Sequence, residues 1–467
     1  MLSEERMVFS SLIFIFAYLA ITLIVYYISP LKLRNLVLFI VSLAFYGWGE
    51  PKYILLMLIS IAAAYAFGFL IEKYRDVDRK RAKLFLILSL CVNLSFLLFF
   101  KYFNFFAHNL GFAGIDNLTL PVGISFYTFQ IMSYSIDLYR GAVPCAQKFV
   151  PFGTYVTLFP QLIAGPIVMY RDVYRQLQSR KETVSMFASG VSRFVMGLSK
   201  KIVFGDSAAA LAESLEAANG FQPTVLGTWL IMIAYTLHIY FDFSGYSDMA
   251  IGLGRMIGFE FAENFNYPYI ARSITDFWRR WHITLSTWFR DYIYIPLGGN
   301  RVGKLRGFFN LAVVWFLTGF WHGADWNYIL WGVYFCVFLI LEKAFLRRFL
   351  DKCKIFAHIY SLLVIGFGWT IFFHSDIVAI ADSALHMVGI GAAWGNTGVL
   401  YALLRWLPFL ILGIVACTPY PKRWIQSLRE RYSEVEAISP FVLALLLLLS
   451  VAYMVNDTFS PFLYYIF

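Results

Sequence analysis

The sequence predicts an all-α polytopic membrane protein organised as one domain over residues 1–467. Three observations predict it. The chain is 60% hydrophobic and 14% charged, where soluble domains carry about 25% charged residues. Its apolar residues collect in uncharged runs, most of them long enough as helices to cross a hydrocarbon core about 30 Å thick. Its basic residues lie in short segments between those runs, as cytoplasmic loops facing anionic lipid do. The net charge of +10 therefore points to a lipid surface and not to nucleic acid. The five cysteines have neither paired nor metal-ligand spacing, so no disulfide framework and no metal site is expected.

Taken in order, residues 8–28 form an uncharged run with no small-residue cleavage site after it, and we expect it to stay as the first helix. Ser29 and Pro30 end it. Spans are expected at 36–48, 53–71 and 84–100. The segment 72–83 carries six Lys or Arg against three acids, which places it in the cytoplasm and, by alternation, the N-terminus outside. Residues 118–140 are apolar but broken by Pro121 and Gly123. In 149–170, Pro160, Gly165 and Pro166 argue against a plain spanning helix. That piece is expected to be re-entrant, around a cavity, or else a surface loop between short helices. Residues 184–204 look amphipathic. A clear span follows at 225–241, with His238 near its end and Asp242 on the same helical face, where the two can pair or Asp242 can line an outer funnel.

Residues 271–306 carry seven basic residues interleaved with Trp278, Trp281, Trp288 and Phe289. This suits helices lying at the interface, aromatics at the boundary and guanidinium groups toward headgroups or phosphates. The runs 307–321 and 326–341 form a hairpin about Trp321-His322-Gly323-Ala324-Asp325. Each run is about 15 residues, or roughly 22 Å as a helix. If both span, His322 sits inside the membrane profile, where an ionisable group is a functional candidate. The alternative is a hairpin cap near the headgroups. Spans at 355–373, at 399–417 around Arg405, and at 441–454 bring the total to about eleven, with the C-terminus outside.

His238, His282 and His322 have notable surroundings. His108, His358, His374 and His386 carry no pattern and are expected to be solvated or structural. No phosphate-cradling loop, HExxH or GxSxG motif is present. A neutral imidazole in a partly dry site accepts a proton from a hydroxyl, which fits acyl transfer to an alcohol. On the residues alone, enzyme and transporter both remain. The transporter reading predicts internal symmetry, and the sequence has no detectable repeat.

Longer blocks sharpen this. YFDFSGYSDMAIG at 240–252, FNYPYIARSITDFWRRWHITLSTWFRDYIYIPLGGNR at 265–301 and LTGFWHGADWNYILWG at 317–332 resemble the membrane-bound O-acyltransferase family. The resemblance extends to FYGWGEPKYILLMLISI, LPVGISFYTFQIMSYSIDLYRG and FPQLIAGPI, and is to the branch that acetylates alginate and peptidoglycan. It implies helices around a central tunnel, His322 as the essential histidine and His282 as a second histidine across that tunnel. It implies no bound cofactor, with acetyl-coenzyme A as the cytoplasmic donor substrate. The acceptor is a hydroxyl outside a bacterial inner membrane, with an SGNH-type transferase as partner. Arg279, Arg280 and Arg290 become candidates for the donor phosphates. Trp321, Trp326 or His282 are candidates to donate to a developing oxyanion, and Asp325 to orient His322 or cap the hairpin. A D-alanyl transferase acting on teichoic acid shares the WHG block and stands as the alternative.

Overall fold

The computed structural model describes residues 7–163, 165–220 and 222–456. The chain termini, both placed outside from sequence, and Ala164 of the expected re-entrant segment lie outside the described residues. Helices account for every element of regular structure among the described residues except a single bridge between Thr224 and Ala393. Eight helices are long and apolar enough to cross a membrane: Leu31–Gly49, Pro51–Arg75, Arg79–Asn109, Val225–Met256, Trp326–Leu350, Lys354–Phe373, Thr397–Ala416 and Glu434–Asn456. The remaining three expected spans are also helical. Phe14–Ile28 and Ile124–Arg140 are shorter, and Lys304–His322 is more polar, opening on Lys304 and Arg306.

The chain divides into two compact units. One gathers the chain up to Val195 with Tyr246–Glu263; the other takes Met196–Gly245 and most of the chain from Asn264 on. In the first unit, the segment expected to be re-entrant is half-buried at Phe149–Pro151 and buried over 152–163 and 165–170. The helix Phe149–Thr157 breaks at Leu158, and Phe159–Leu162 makes one further turn. Its irregular backbone is covered by side chains. Ser42 accepts from the Phe159 amide at 3.1 Å, and the Tyr155 hydroxyl donates to the carbonyls of Gln130 and Val168, both at 3.1 Å. The surface-loop alternative is thereby excluded, since broken backbone survives at membrane depth only where protein covers it. Charged residues of the same unit are tied to one another. Arg34 meets Glu182 at 2.7 Å, and Arg193 bridges Asp248 at 2.6 Å and Glu263 at 2.5 Å.

In the second unit, Lys304–His322 and Trp326–Leu341 form the expected hairpin. They cross at Gly319 and Gly332. A methyl on either would run into a backbone carbonyl of the facing helix, that of Tyr328 or Trp315 respectively. Small residues at a crossing let membrane helices approach this closely. The 271–306 segment folds as the short helices Ile274–Trp278 and Ile283–Phe289 and a π-helical turn, Arg290–Tyr294.

Here the structure corrects the sequence. The tryptophans of this arm do not mark a lipid boundary. Trp281 and Trp288 are buried, and the Trp278 ring packs against Trp315 at 4.8 Å, Phe335 at 5.0 Å and Trp331 at 5.4 Å. Each such pair adds about 0.5–1.5 kcal/mol beyond its area. The cation-rich pattern hid an inward aromatic face.

Candidate active site

His322 is the last residue of its helix, and Gly323 after it is extended. The imidazole is 4% exposed. Aromatic rings enclose it edge-on: Trp331 at 4.9 Å, Trp321 at 5.1 Å and Phe372 at 5.5 Å. It is thus enclosed by protein side chains. The helix C-terminus carries partial negative charge that favours a cationic ring there, offsetting part of the burial that disfavours one.

His282 is built differently. It stands at φ 43°, ψ 54°, a left-handed conformation, just ahead of Ile283–Phe289, and is 1% exposed. Such strain costs about 1–3 kcal/mol in a non-glycine residue and tends to be kept at functional sites. Asn264 holds it. The Asn264 side-chain oxygen lies 3.1 Å from His282 Nδ1, and accepts from the Thr284 amide at 3.2 Å and the Thr284 hydroxyl at 2.9 Å. The amide donor identifies that atom as oxygen, so Nδ1 carries the proton and Nε2 is the acceptor. Burial pushes the imidazole down to about 3, so the ring stays neutral. A neutral ring whose N–H is already engaged does not suit oxyanion donation, which corrects that expectation for His282.

Trp321 links the two. Its ring lies 5.1 Å from His322 and 6.1 Å from His282. Trp326 does not join them; it is 51% exposed. Asp325 accepts from the Trp326 amide at 2.7 Å and caps Trp326–Leu341. The capping alternative is therefore the one realised, because a helix start supplies an amide donor at the shortest reach.

Asp242 does not pair with His238. Its carboxylate meets the buried Lys201 ammonium at 3.0 Å, and Lys201 also meets Asp206 at 2.6 Å, while His238 Nδ1 lies 2.9 Å from the Gly205 carbonyl. An ammonium out-competes an imidazole for a buried carboxylate because it brings a full charge. Among the three arginines, Arg280 is tied to Asp276 at 3.0 Å and Arg290 to Asp291 at 2.8 Å. Arg279 is exposed, with no ion pair among the described residues.

Two contributors escaped the sequence reading. Glu342 is 2% exposed, and its carboxylate accepts from the Ile274 amide at 2.6 Å, the Thr275 amide at 3.0 Å and the Thr275 hydroxyl at 2.7 Å. It pins the arm that ends in His282. A lone acid directly after an uncharged run was the available signal. Asn264, 18 residues before His282, gave none.

With this geometry in place, comparison with known proteins is informative. A sequence profile of the membrane-bound O-acyltransferase family, MBOAT, matches residues 146–384. The chain belongs to that family. It is 44% identical to the probable alginate O-acetylase AlgI of Pseudomonas aeruginosa, over 78% of this chain and 72% of the relative. It is 34% identical to the peptidoglycan O-acetyltransferase of Helicobacter pylori, over 82% and 80%. A teichoic acid D-alanyltransferase of Streptococcus thermophilus matches at 30% over 50% of this chain and 60% of its own length. The protein is a multi-pass membrane O-acyltransferase, and the aromatic and histidine contacts around His322 described above fall within the matched region.

Proposed function

We propose that this acyltransferase moves an acetyl group from cytoplasmic acetyl-coenzyme A through a bacterial inner membrane to a hydroxyl acceptor outside, for O-acetylation of an envelope polysaccharide of the alginate or peptidoglycan kind. The observation that carries this is a buried imidazole, His322, at the end of a helix in the family's matched region, joined through one indole to a second buried imidazole.

His322 takes the hydroxyl proton as the acceptor oxygen attacks the thioester carbonyl. The new C–O bond forms, the C–S bond breaks as the tetrahedral intermediate collapses, and the proton passes from His322 to the departing thiolate. The helix C-terminus stabilises the transient imidazolium. The Trp321 indole N–H is the candidate donor to the oxyanion. His282 orients the incoming hydroxyl through Nε2, the acceptor nitrogen of the tautomer that Asn264 sets. Arg279 is the arginine best suited to a donor phosphate. An SGNH-type transferase outside the membrane works with the enzyme on the polymer.

The test is reconstitution of the full-length protein in liposomes with labelled acetyl-coenzyme A inside. His322→Ala should abolish transfer while expression and melting temperature hold. Undiminished transfer in that variant overturns the assignment. Label arriving only from a D-alanyl carrier thioester replaces the donor and favours the teichoic acid relative.

A further inference from the structure

The second unit buries an ion cluster that the proposed mechanism does not use. The Lys201 ammonium lies between the Asp242 carboxylate at 3.0 Å and the Asp206 carboxylate at 2.6 Å. Lys201 is 1% exposed and Asp242 0%. Lys201 and Asp206 belong to one π-helical turn, Lys200–Asp206, a departure from α-helix that is frequent at functional sites.

Within this unit the helix Val225–Met256, up to Gly245, presents two opposite faces. His238, Asp242 and Gly245 share one, at helical spacing, and it meets the chain around the π-helical turn. His238 Nδ1 lies 2.9 Å from the Gly205 carbonyl. The backbones are nearly in contact: a methyl on Gly245 would reach the Gly197 carbonyl at 2.7 Å, and one on Gly205 the Asp242 amide at 3.1 Å. Thr236, Tyr240 and Phe243 share the other face, which meets the arm that carries His282. The Tyr269 hydroxyl donates to the Thr236 carbonyl at 2.7 Å, and the Tyr240 ring packs on Tyr269 at 5.3 Å. Phe243 packs on Phe265 at 4.9 Å and meets the His282 imidazole edge-on, at 4.8 Å and 85°. That is closer than the Trp321 ring at 6.1 Å.

The two faces have different work. Asn264 fixes which His282 nitrogen bears the proton, but a hydrogen bond at Nδ1 leaves the tilt of the ring to its neighbours, and the torsion that sets it is broad. A phenyl edge against the imidazole limits that tilt, and so the direction of Nε2. The ion cluster acts one step further back. Apolar helix faces tolerate small slips, whereas a slip here strands buried charge, so such a cluster specifies register more than it adds stability.

We propose that Phe243 is a positioning residue that holds the His282 imidazole in its working orientation, and that the Lys201–Asp206–Asp242 cluster sets the register of the helix that presents it. This rests on the acyl-transfer reading above.

The test is a double-substitution cycle on acetyl transfer by the full-length protein in liposomes with labelled acetyl-coenzyme A inside. Phe243→Leu keeps an apolar side chain but not the ring. It should lower kcat about tenfold and leave KM for acetyl-coenzyme A unchanged. In a His282→Ala background the same substitution should cost less than about twofold, because the ring it positions is gone. An equal loss in both backgrounds, or a raised KM with kcat intact, overturns the proposal. For the cluster, Lys201→Met is combined with Asp206→Asn and Asp242→Asn, which leaves no buried charge stranded. This triple variant should melt within a few degrees of the wild type and lose about tenfold in kcat, again only where His282 is present. Wild-type kcat in the folded triple variant overturns the register role, and so does failure to fold, since the cluster would then be holding the fold itself. A wild type that transfers no acetyl group sinks the acyl-transfer reading instead. The coupling is then read from melting temperatures, where Phe243→Leu and His282→Ala should be non-additive, and additive shifts overturn the proposal.

Discussion

The two buried imidazoles are held by opposite means. His322 is placed by a long membrane helix and surrounded by rings. His282 stands on a strained residue between short helices, and is placed by polar contacts from Asn264 and, one step back, Glu342. A group that must change charge during a reaction is well served by the first arrangement, where the helix end supplies a dipole. A group that must keep one tautomer is well served by the second, where a neighbour's oxygen dictates which nitrogen bears the proton. The contrast assigns base to His322 and orienter to His282.

Four experiments sharpen or break this contrast. The largest effect belongs to the rings themselves. His322→Ala should lower acetyl transfer by about 10³-fold or more, and His282→Ala by about 10²-fold, within the range of positioned acid–base groups. Equal losses, measured as initial rates in liposomes, would erase the distinction between base and orienter.

Next comes Asn264→Ala, which removes the oxygen that sets the His282 tautomer. A loss of about tenfold in kcat is expected with the acid limb of the pH–rate profile unmoved, because that limb belongs to His322. A shifted limb would transfer the base role to His282.

A third effect is on stability. Burial holds His282 at about 3, against an ordinary imidazole value near 6.5. The folded protein binds the proton less readily than the unfolded chain, so the neutral ring's contribution is complete above about pH 6.5 and is lost as pH falls toward 3. The melting temperature of the wild type in detergent should therefore fall more steeply over that window than that of His282→Asn. Parallel curves would mean that the ring is solvated.

The smallest effect is expected from Asp325→Ala, which removes a helix cap worth about 1 kcal/mol and should lower the melting temperature slightly while kcat stays within about twofold. A loss as large as that of His282→Ala would restore Asp325 as the group that orients His322.

How much of this was legible in the sequence depends on range. His322 was visible because an ionisable group between two uncharged runs is a local pattern. The hairpin, the start of the helix at Val225 and a break in the backbone near Pro160 were visible for the same reason, but the polar residues 242–248 expected to close the Val225 helix lie inside it, since it runs on to Met256. The inward aromatic face of 271–306 was not, because basic residues and tryptophans alternate in a way that fits an interfacial helix equally well. His374 and His386 looked featureless in sequence, yet line a cavity with Glu216.

The sequence by itself determined that the chain lives in a membrane, where its helices run and which histidine closes the hairpin. These follow from hydropathy and backbone hydrogen bonding, and both act over one or two turns. Tertiary structure alone decided that Asn264 holds His282, that Glu342 pins the arm, and that Lys201 and not His238 pairs with Asp242. Those choices are settled by which buried polar groups meet across the fold, since each must find a partner and burial leaves few to choose from.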